Sequence, residues 1–247
     1  MQKLIFVCAF ALFLVPVDGA DVRATEIADS MLTAMGGVDN WNRAHFVRYD
    51  FKVNIGGKLI AVRSHLWDKM TGRYRLEGKT KDGKATLALF NVANQQGTAY
   101  VDGRKLEGTA ANEALKSAYG SFINDMYWLA MPWKWKDAGV NLKYLGRKPH
   151  GGQDMDVVQL TFGKVGLTPG DTYQAFVSPK TKLMEHWEYK LQSGNTGSWD
   201  WEYATTGGIK LASNHTKSGG DFIGMGKVQV LDQVADAVFT DPSASLP

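Results

Sequence analysis

Histidine and acidic side chains are the residues of this sequence best suited to metal binding or acid–base chemistry. The five histidines are His45, His65, His150, His186 and His215. None has the spacing of a metal-binding motif such as HExxH. Glu185 and Glu188 flank His186, but in a strand Glu185 points to the opposite face. We therefore predict no metal site and interpret the histidines as surface or rim residues, while a site assembled from distant segments stays open.

Paired carboxylates would indicate a glycoside hydrolase. Asp200 and Glu202 lie in SWDWEY, where they alternate with aromatic residues and so occupy the opposite face from them. The sequence contains no GxSxG, P-loop or GxGxxG motif. We expect no enzymatic activity and no cofactor, and a hydrolase using Glu188, Asp200 or His186 is the least favoured of three hypotheses.

The most aromatic segment is NDMYWLAMPWKWKDAG, residues 124–139, with three tryptophans, one tyrosine and two methionines. The whole sequence has 8 Trp, 9 Tyr, 11 Phe and 9 Met. Each aromatic alone is most simply explained as core. Together they predict an apolar cavity, because aromatic and methionine side chains form adaptable binding walls.

The first 20 residues predict a secretory signal peptide. Lys3 precedes an apolar run, Leu4–Val15, that is too short to span a membrane, and cleavage is expected near Ala20. The single cysteine, Cys8, lies within that run and does not have the position of a lipid-attachment site. We therefore expect a soluble periplasmic protein without a lipid anchor, in which residues 21–247 form one domain.

The charge of the protein is nearly balanced. It has 28 lysines and arginines against 25 aspartates and glutamates, a formal net charge of +3. This balance gives no indication of a nucleic-acid partner.

The elements that must position the aromatic residues are mainly strands. ATEIADSMLTAMGG, residues 24–37, predicts an amphipathic helix that ends at a glycine pair. After it, alternating segments predict about ten strands in one curved antiparallel sheet. The turn signals between them are GG at 56–57, DG at 82–83, DG at 102–103, GG at 151–152, GG at 207–208 and GG at 219–220.

One face of this sheet is predicted to be aromatic and the other solvated. In SWDWEY the dry residues are Trp199, Trp201 and Tyr203. In KLMEHWEYKL the dry set is Leu183, Trp187, Tyr189 and Leu191, and the solvated set is Met184, His186, Glu188 and Lys190.

A second helix is predicted from Ala110 to Met131, ended by Pro132. Beyond the proline, Trp133 and Trp135 alternate with lysines. We expect an extended segment there with both indoles on one side.

The order of these elements resembles the periplasmic lipoprotein-carrier superfamily of the LolA and LolB type, the outer membrane lipoprotein-sorting proteins. The motifs that carry the resemblance, more narrowly to a bacterial branch with that fold, are MGGVDNW, LWDKMTGRYRLE, NDMYWLAMPWKWKDAG, VGLTPGDTYQAFV and FVSPKTKLMEHWEYKL. The resemblance implies a mainly β, α+β fold: a half-open β-barrel with an N-terminal helix and a mid-chain helix as its lid.

The resemblance further implies a carrier that holds acyl chains of a lipid or lipoprotein and passes them to a membrane-associated receiving protein. The residues expected to contact the acyl chain are Phe51, Tyr127, Trp128, Met131, Trp133, Trp135, Phe162, Trp187, Tyr189, Trp199 and Trp201. Arg63, Arg73 and Arg75 are the candidates for the basic strand residue that helps carriers hold the lid shut.

Two features depart from the carrier pattern: the chain is longer than typical carriers, and none of the three arginines is singled out by its sequence context. Related folds also serve as periplasmic stress sensors. The alternative hypothesis is therefore a sensor or interaction module that uses the same concave face for a protein partner.

Overall fold

The computed structural model describes residues 21–163 and 168–247. The predicted signal peptide lies outside the described residues. None of the helices within these two ranges is both long enough and apolar enough to cross a membrane.

The described chain forms one open antiparallel sheet of thirteen strands. The strands are β1 (Phe46–Ile55), β2 (Lys58–Asp68), β3 (Arg73–Lys79), β4 (Ala85–Asn91), β5 (Gly97–Val101), β6 (Arg104–Lys105), β7 (Val140–His150), β8 (Gln153–Phe162), β9 (Thr172–Val177), β10 (Met184–Lys190), β11 (Thr196–Thr206), β12 (Ile209–Thr216) and β13 (Phe222–Leu231). Their order in the sheet is β6-β5-β4-β3-β2-β1-β13-β12-β11-β10-β9-β8-β7. The predicted fold class is confirmed, with more strands than the ten expected because strands as short as β6 show no alternation.

All six predicted turns connect neighbouring strands. They join β1 to β2, β3 to β4, β5 to β6, β7 to β8, β11 to β12 and β12 to β13. At the first turn, Gly56 and Gly57 have φ of 58° and 74°, a backbone conformation that glycine adopts without steric cost.

The helices are α1 (Val22–Ala34), α2 (Val38–Arg43), α3 (Gly108–Ala130) and α4 (Ala237–Thr240). The side chain of Asp21 caps α1 by accepting a hydrogen bond from the backbone N–H of Ala24 at 2.9 Å. Just after α1, Gly36 has φ of 113°. A Cβ atom there would lie 2.2 Å from the carbonyl oxygen of Gly208, so the first predicted helix ends where only glycine fits.

Helix α3 is the second predicted helix and packs on the aromatic face of the sheet. Its buried residues include Ala118, Phe122, Met126 and Leu129, which recur at three- and four-residue intervals. The buried carboxylate of Asp125 lies on the same helix.

The prediction of an extended segment after Pro132 was wrong. Met131–Lys134 form a 3₁₀ turn with Pro132 in its first turn. Proline is tolerated there, because the backbone N–H that it lacks would have no acceptor within the turn. The Trp133 indole donates a hydrogen bond to the carbonyl of Lys210 at 2.9 Å and stacks on Trp41. The Trp135 indole is buried against the sulfur of Met131.

The predicted dry face is confirmed on β11, where Trp199 and Trp201 are buried and Asp200 and Glu202 are exposed. On β10 the prediction was partly wrong, since Met184 and His186 are buried on positions expected to be solvated. The β9–β10 pairing is irregular between Met184 and His186, which breaks strict alternation there.

The outer face also carries buried clusters. One contains Phe46, Leu66, Val238 and Phe239. Another contains Met155, Val157 and Phe176. His186 contacts this second cluster through Phe176, with ring centroids 5.1 Å apart, and this contact accounts for its burial.

Candidate functional site

A cavity of about 380 Å³ lies between the second half of α3 and strands β8 to β10. Its volume falls within the range typical of small-molecule sites. It is lined by Gly120, Ile123, Asn124, Tyr127, Trp128, Phe162, Thr168, Asp171, Tyr173, Trp187, Tyr189 and Leu191. Eight of these twelve residues are aromatic or aliphatic.

The wall combines a helical and a strand pattern. Ile123 and Tyr127 are four residues apart on α3, whereas Trp187 and Tyr189 are two apart on β10 and share one face. Tyr173 on β9 lies directly opposite Tyr189 in the strand register.

Aromatic contacts close the wall around the cavity. The rings of Trp128 and Trp187 meet edge to face with centroids 4.7 Å apart, and those of Tyr127 and Tyr173 lie 5.5 Å apart. Trp199 and Trp201 contact Trp128 at 5.6 and 6.4 Å. The cavity is therefore backed by rings that hold one another in position.

A few polar groups interrupt the wall. The Tyr173 hydroxyl donates to Asp171 at 3.4 Å, and Asp171 also accepts from the backbone N–H of Gln192 at 2.8 Å. Burial, reinforced by Asp171, raises the pKa of Tyr173, and burial raises the pKa of Tyr127 well above its usual value. Both phenols are therefore neutral at physiological pH. The buried indole N–H of Trp187 has no acceptor among the described residues.

Five of the predicted binding residues line this cavity: Tyr127, Trp128, Phe162, Trp187 and Tyr189. The other six pack in the main core, namely Phe51, Met131, Trp133, Trp135, Trp199 and Trp201. A role of any of the eleven in ligand binding stays a prediction.

Sequence reasoning missed several residues of the wall. Ile123 was detectable, since it precedes Tyr127 by one helical turn. Leu191 was detectable as well, since it belongs to the predicted dry set and follows Tyr189 by two residues. Tyr173 was not, because its position depends on the pairing of β9 with β10. Gly120 leaves space rather than filling it, and no hydrophobic pattern reports this.

The residues of the hydrolase hypothesis do not line the cavity. His186 and Asp200 lie on the outer face and are hydrogen-bonded to each other, while Glu188 is exposed on β10. Their arrangement therefore gives no support to catalysis inside the cavity.

A second cavity, of about 370 Å³, lies beside the first half of α3, against β2 to β5. Arg63 is part of its wall. The Arg63 guanidinium donates two hydrogen bonds to the Asp125 carboxylate on α3, at 2.5 and 2.8 Å. Of the three candidate arginines, Arg63 is thus the one that pairs with α3. This ion pair joins β2 to the helix that lies between the two cavities.

The remaining candidates bind elsewhere. Arg73 pairs with Asp68 and with Asp236. Arg75 donates to backbone carbonyls near the end of the chain, including that of Val238 at 3.0 Å. None of these contacts of Arg73 and Arg75 involves α3.

A chain of buried polar groups continues from Asp125. The Nε2 atom of His65 lies 3.1 Å from Asp125, and its Nδ1 atom lies 2.8 Å from the Tyr74 hydroxyl. The Tyr74 and Tyr49 hydroxyls are 3.1 Å apart. This network anchors one face of α3 to β1, β2 and β3.

Electrostatics keep the network in one charge state. Burial opposes ionisation of Asp125, but the adjacent His65 imidazole and the two hydrogen bonds from Arg63 outweigh it and lower the pKa of the carboxyl. Burial lowers the pKa of His65, so its imidazole is neutral at physiological pH. The network is therefore one ion pair with neutral hydrogen-bonding partners.

No family model and no curated protein matches this chain. Among solved structures, the chain is similar to a LolA superfamily protein from Nitrosomonas europaea at 12% identity and a TM-score of 0.46, covering 87% of this chain and 96% of that one. It is similar to a DUF1329 family protein from Desulfovibrio piger at 13% identity and a TM-score of 0.45, covering 87% and 96%. It is also similar to the lipoprotein LppX of Mycobacterium tuberculosis at 9% identity and a TM-score of 0.35, covering 85% and 99%.

Proposed function

We propose that the protein is a periplasmic carrier or binding protein, not an enzyme, that holds an acyl chain of a lipid or lipoprotein beneath α3. The observation that supports this most is the cavity of about 380 Å³ with its largely aromatic and aliphatic wall. Burial of an acyl chain contributes about 0.8 kcal/mol per methylene, so about ten buried methylenes contribute about 8 kcal/mol before ordering costs.

The polar residues in the lining of this cavity are Asn124, Thr168 and Asp171. Since the remaining wall is apolar, we expect strong binding with little selectivity for chain type.

The position of α3 provides a route for loading and release. The helix separates the two cavities and is tied to β2 by Arg63 and Asp125. Movement of α3 away from the sheet would open the first cavity along its length. We propose that α3 is the lid, and that transfer to a membrane-associated receiving protein follows its opening.

The experiment that tests the binding proposal uses a variant that fills the cavity. Gly120 lies on α3 at the cavity wall, and among the described residues a Cβ atom there would meet nothing within 4 Å beyond its chain neighbours and the adjacent helix backbone. Gly120→Leu is expected to weaken binding of a brominated fatty acid at least tenfold, measured by tryptophan quenching. It should not lower stability, because leucine favours the helix over glycine by about 0.8 kcal/mol.

Gly120→Ala is the matched control, because it gives a similar gain in helix propensity but adds only one methyl group. We expect its binding to stay close to wild type. Organic extraction and mass spectrometry of protein purified without detergent identify the natural occupant. If wild-type protein yields no lipid and shows no quenching, the acyl-chain proposal is wrong, and a search for a protein partner of the concave face becomes the next step.

A further inference from the structure

Three side chains of the types that can bind a metal ion come from separate strands and meet on the outer face of the sheet. The Nε2 atom of His150 lies 2.9 Å from one carboxylate oxygen of Asp200, and the Nδ1 atom of His186 lies 2.7 Å from the same oxygen. The two imidazole rings stack with centroids 3.9 Å apart. Two ring nitrogens and a carboxylate thus converge on one small volume.

This arrangement depends on bending of the β7–β8 hairpin. In a flat sheet, β7 and β10 would be about 14 Å apart, since three strand spacings separate them. The pairing of β7 with β8 shifts between Tyr144 and Arg147, and Gly146 between them has φ of 87°. The hairpin end then reaches the outer face, where Lys148 bonds Gln174 on β9 at 2.7 Å.

The cluster packs on an aromatic side chain of the outer face. Phe176 on β9 contacts both imidazoles, with ring centroids 5.7 Å from His150 and 5.1 Å from His186. His186 is buried, whereas the side chains of His150 and Asp200 are 30% and 52% exposed. The donor atoms therefore have an apolar floor and an opening to solvent.

We propose that His150, His186 and Asp200 bind a Zn²⁺ ion. Two imidazoles and one carboxylate are a donor set that Zn²⁺ takes in proteins, with a fourth position left for water. Ligand atoms bound at about 2.0–2.1 Å in a tetrahedron lie about 3.3 Å apart. The two nitrogen–oxygen distances of 2.9 and 2.7 Å are within a side-chain adjustment of that arrangement.

The donor set also determines selectivity. Imidazole nitrogens suit Zn²⁺, Ni²⁺ and Cu²⁺, whereas Mg²⁺ and Ca²⁺ take oxygen ligands. Binding uses the lone pairs of His150 Nε2 and His186 Nδ1, so each ring carries its proton on the other nitrogen in the bound form. The bound ion links the hairpin end to β10 and β11, on the opposite face of the strand that contributes Trp187 and Tyr189 to the cavity.

Calorimetric titration of ZnCl₂ into the metal-free protein, prepared without a histidine tag, tests this proposal. We expect saturable binding of one ion, no binding of Mg²⁺, and an unfolding temperature that rises with Zn²⁺. His150→Ala and Asp200→Asn are expected to weaken Zn²⁺ binding at least tenfold. Both positions are partly exposed, and circular dichroism shows whether each variant is folded.

His45→Ala is the matched control, because His45 also faces a carboxylate, with its Nε2 atom 3.3 Å from Asp68, but belongs to no cluster of three metal-ligand residues within the described part of the chain. Its Zn²⁺ affinity should equal that of wild type. No saturable binding to wild-type protein, or equal affinities in wild type and folded His150→Ala, would overturn the proposal. Neither result would affect the acyl-chain proposal, which concerns the other face of the sheet.

Discussion

Replacement of Arg63 by methionine is expected to loosen α3 while leaving the sheet intact. Asp125 is fully buried and the Arg63 side chain is 27% exposed. The substitution therefore leaves a buried carboxylate whose remaining partners are His65 and the side-chain amide of Asn124, neither of which offsets its charge. Loss of one member of a buried ion pair costs about 3–5 kcal/mol. Because solvent reaches Arg63, we expect the lower end, about 3 kcal/mol, which corresponds to a fall of about 6–12 °C in the unfolding temperature.

The informative measurement is local rather than global. Hydrogen exchange followed by mass spectrometry is expected to show faster exchange in α3 of Arg63→Met, with little change in β11 and β12. Dissociation of a bound fluorescent fatty acid should accelerate in the same variant, because opening of α3 then breaks fewer interactions.

Arg73→Met is the matched control. The Arg73 side chain is 32% exposed and also pairs with a fully buried carboxylate, that of Asp68, but it makes no ion pair with α3. It should lower the unfolding temperature without changing α3 exchange or ligand release. If Arg63→Met and Arg73→Met have the same effect on α3 exchange, or if neither has any, the idea that Arg63 holds the lid is refuted.

Three further predictions concern the packing of the fold. Burial lowers the pKa of His215 to about 3, whereas the pKa of histidine in the unfolded chain is about 6.5. Between these two pH values the unfolded chain binds a proton that the folded protein does not bind. The free energy of unfolding therefore falls as the pH decreases, by up to about 1.4 kcal/mol per pH unit. His215→Phe should remove this component from urea denaturation measured between pH 7 and pH 4, and an unchanged slope would contradict it. Trp133→Phe loses the hydrogen bond to the Lys210 carbonyl and should cost about 1–3 kcal/mol in the same assay. Gly36→Ala should destabilise the protein more than Gly37→Ala, since both glycines have positive φ but only at Gly36 does a Cβ atom collide with a carbonyl oxygen; equal losses of unfolding temperature would count against that collision.

Local sequence patterns predicted most of the fold. Glycine-containing turns located six of the connections between neighbouring strands, because each such hairpin is determined by residues close together in the chain. Alternation also predicted which side chains of β11 are buried, with Trp199 and Trp201 on the aromatic face. The two wrong predictions also concern short segments. Near His186 the pairing of β9 with β10 is irregular, and at Pro132 the chain forms a 3₁₀ turn, so neither segment keeps the two-residue alternation of a regular strand.

The sites were predictable only in part, because they depend on contacts between distant segments. Arg63 and Asp125 are 62 positions apart, and nothing near Arg63 in the sequence distinguished it from Arg73. His150 and Asp200 meet only because the hairpin between β7 and β8 bends. An aromatic residue that lines a cavity has the same local pattern as one that fills the core, so the eleven predicted residues were divided only by their packing.

The open sheet exposes two edges, and each has features that discourage the addition of further strands. The β6 edge consists of two residues, Arg104 and Lys105, too short to template a ladder. The longer β7 edge, VNLKYLGRKPH, carries the three basic side chains of Lys143, Arg147 and Lys148 and a proline. On this edge the backbone N–H of Tyr144 is already occupied by the Asp21 carboxylate at 2.8 Å. Two edges that carry basic side chains repel each other, so the open sheet is protected against edge-to-edge aggregation of its copies.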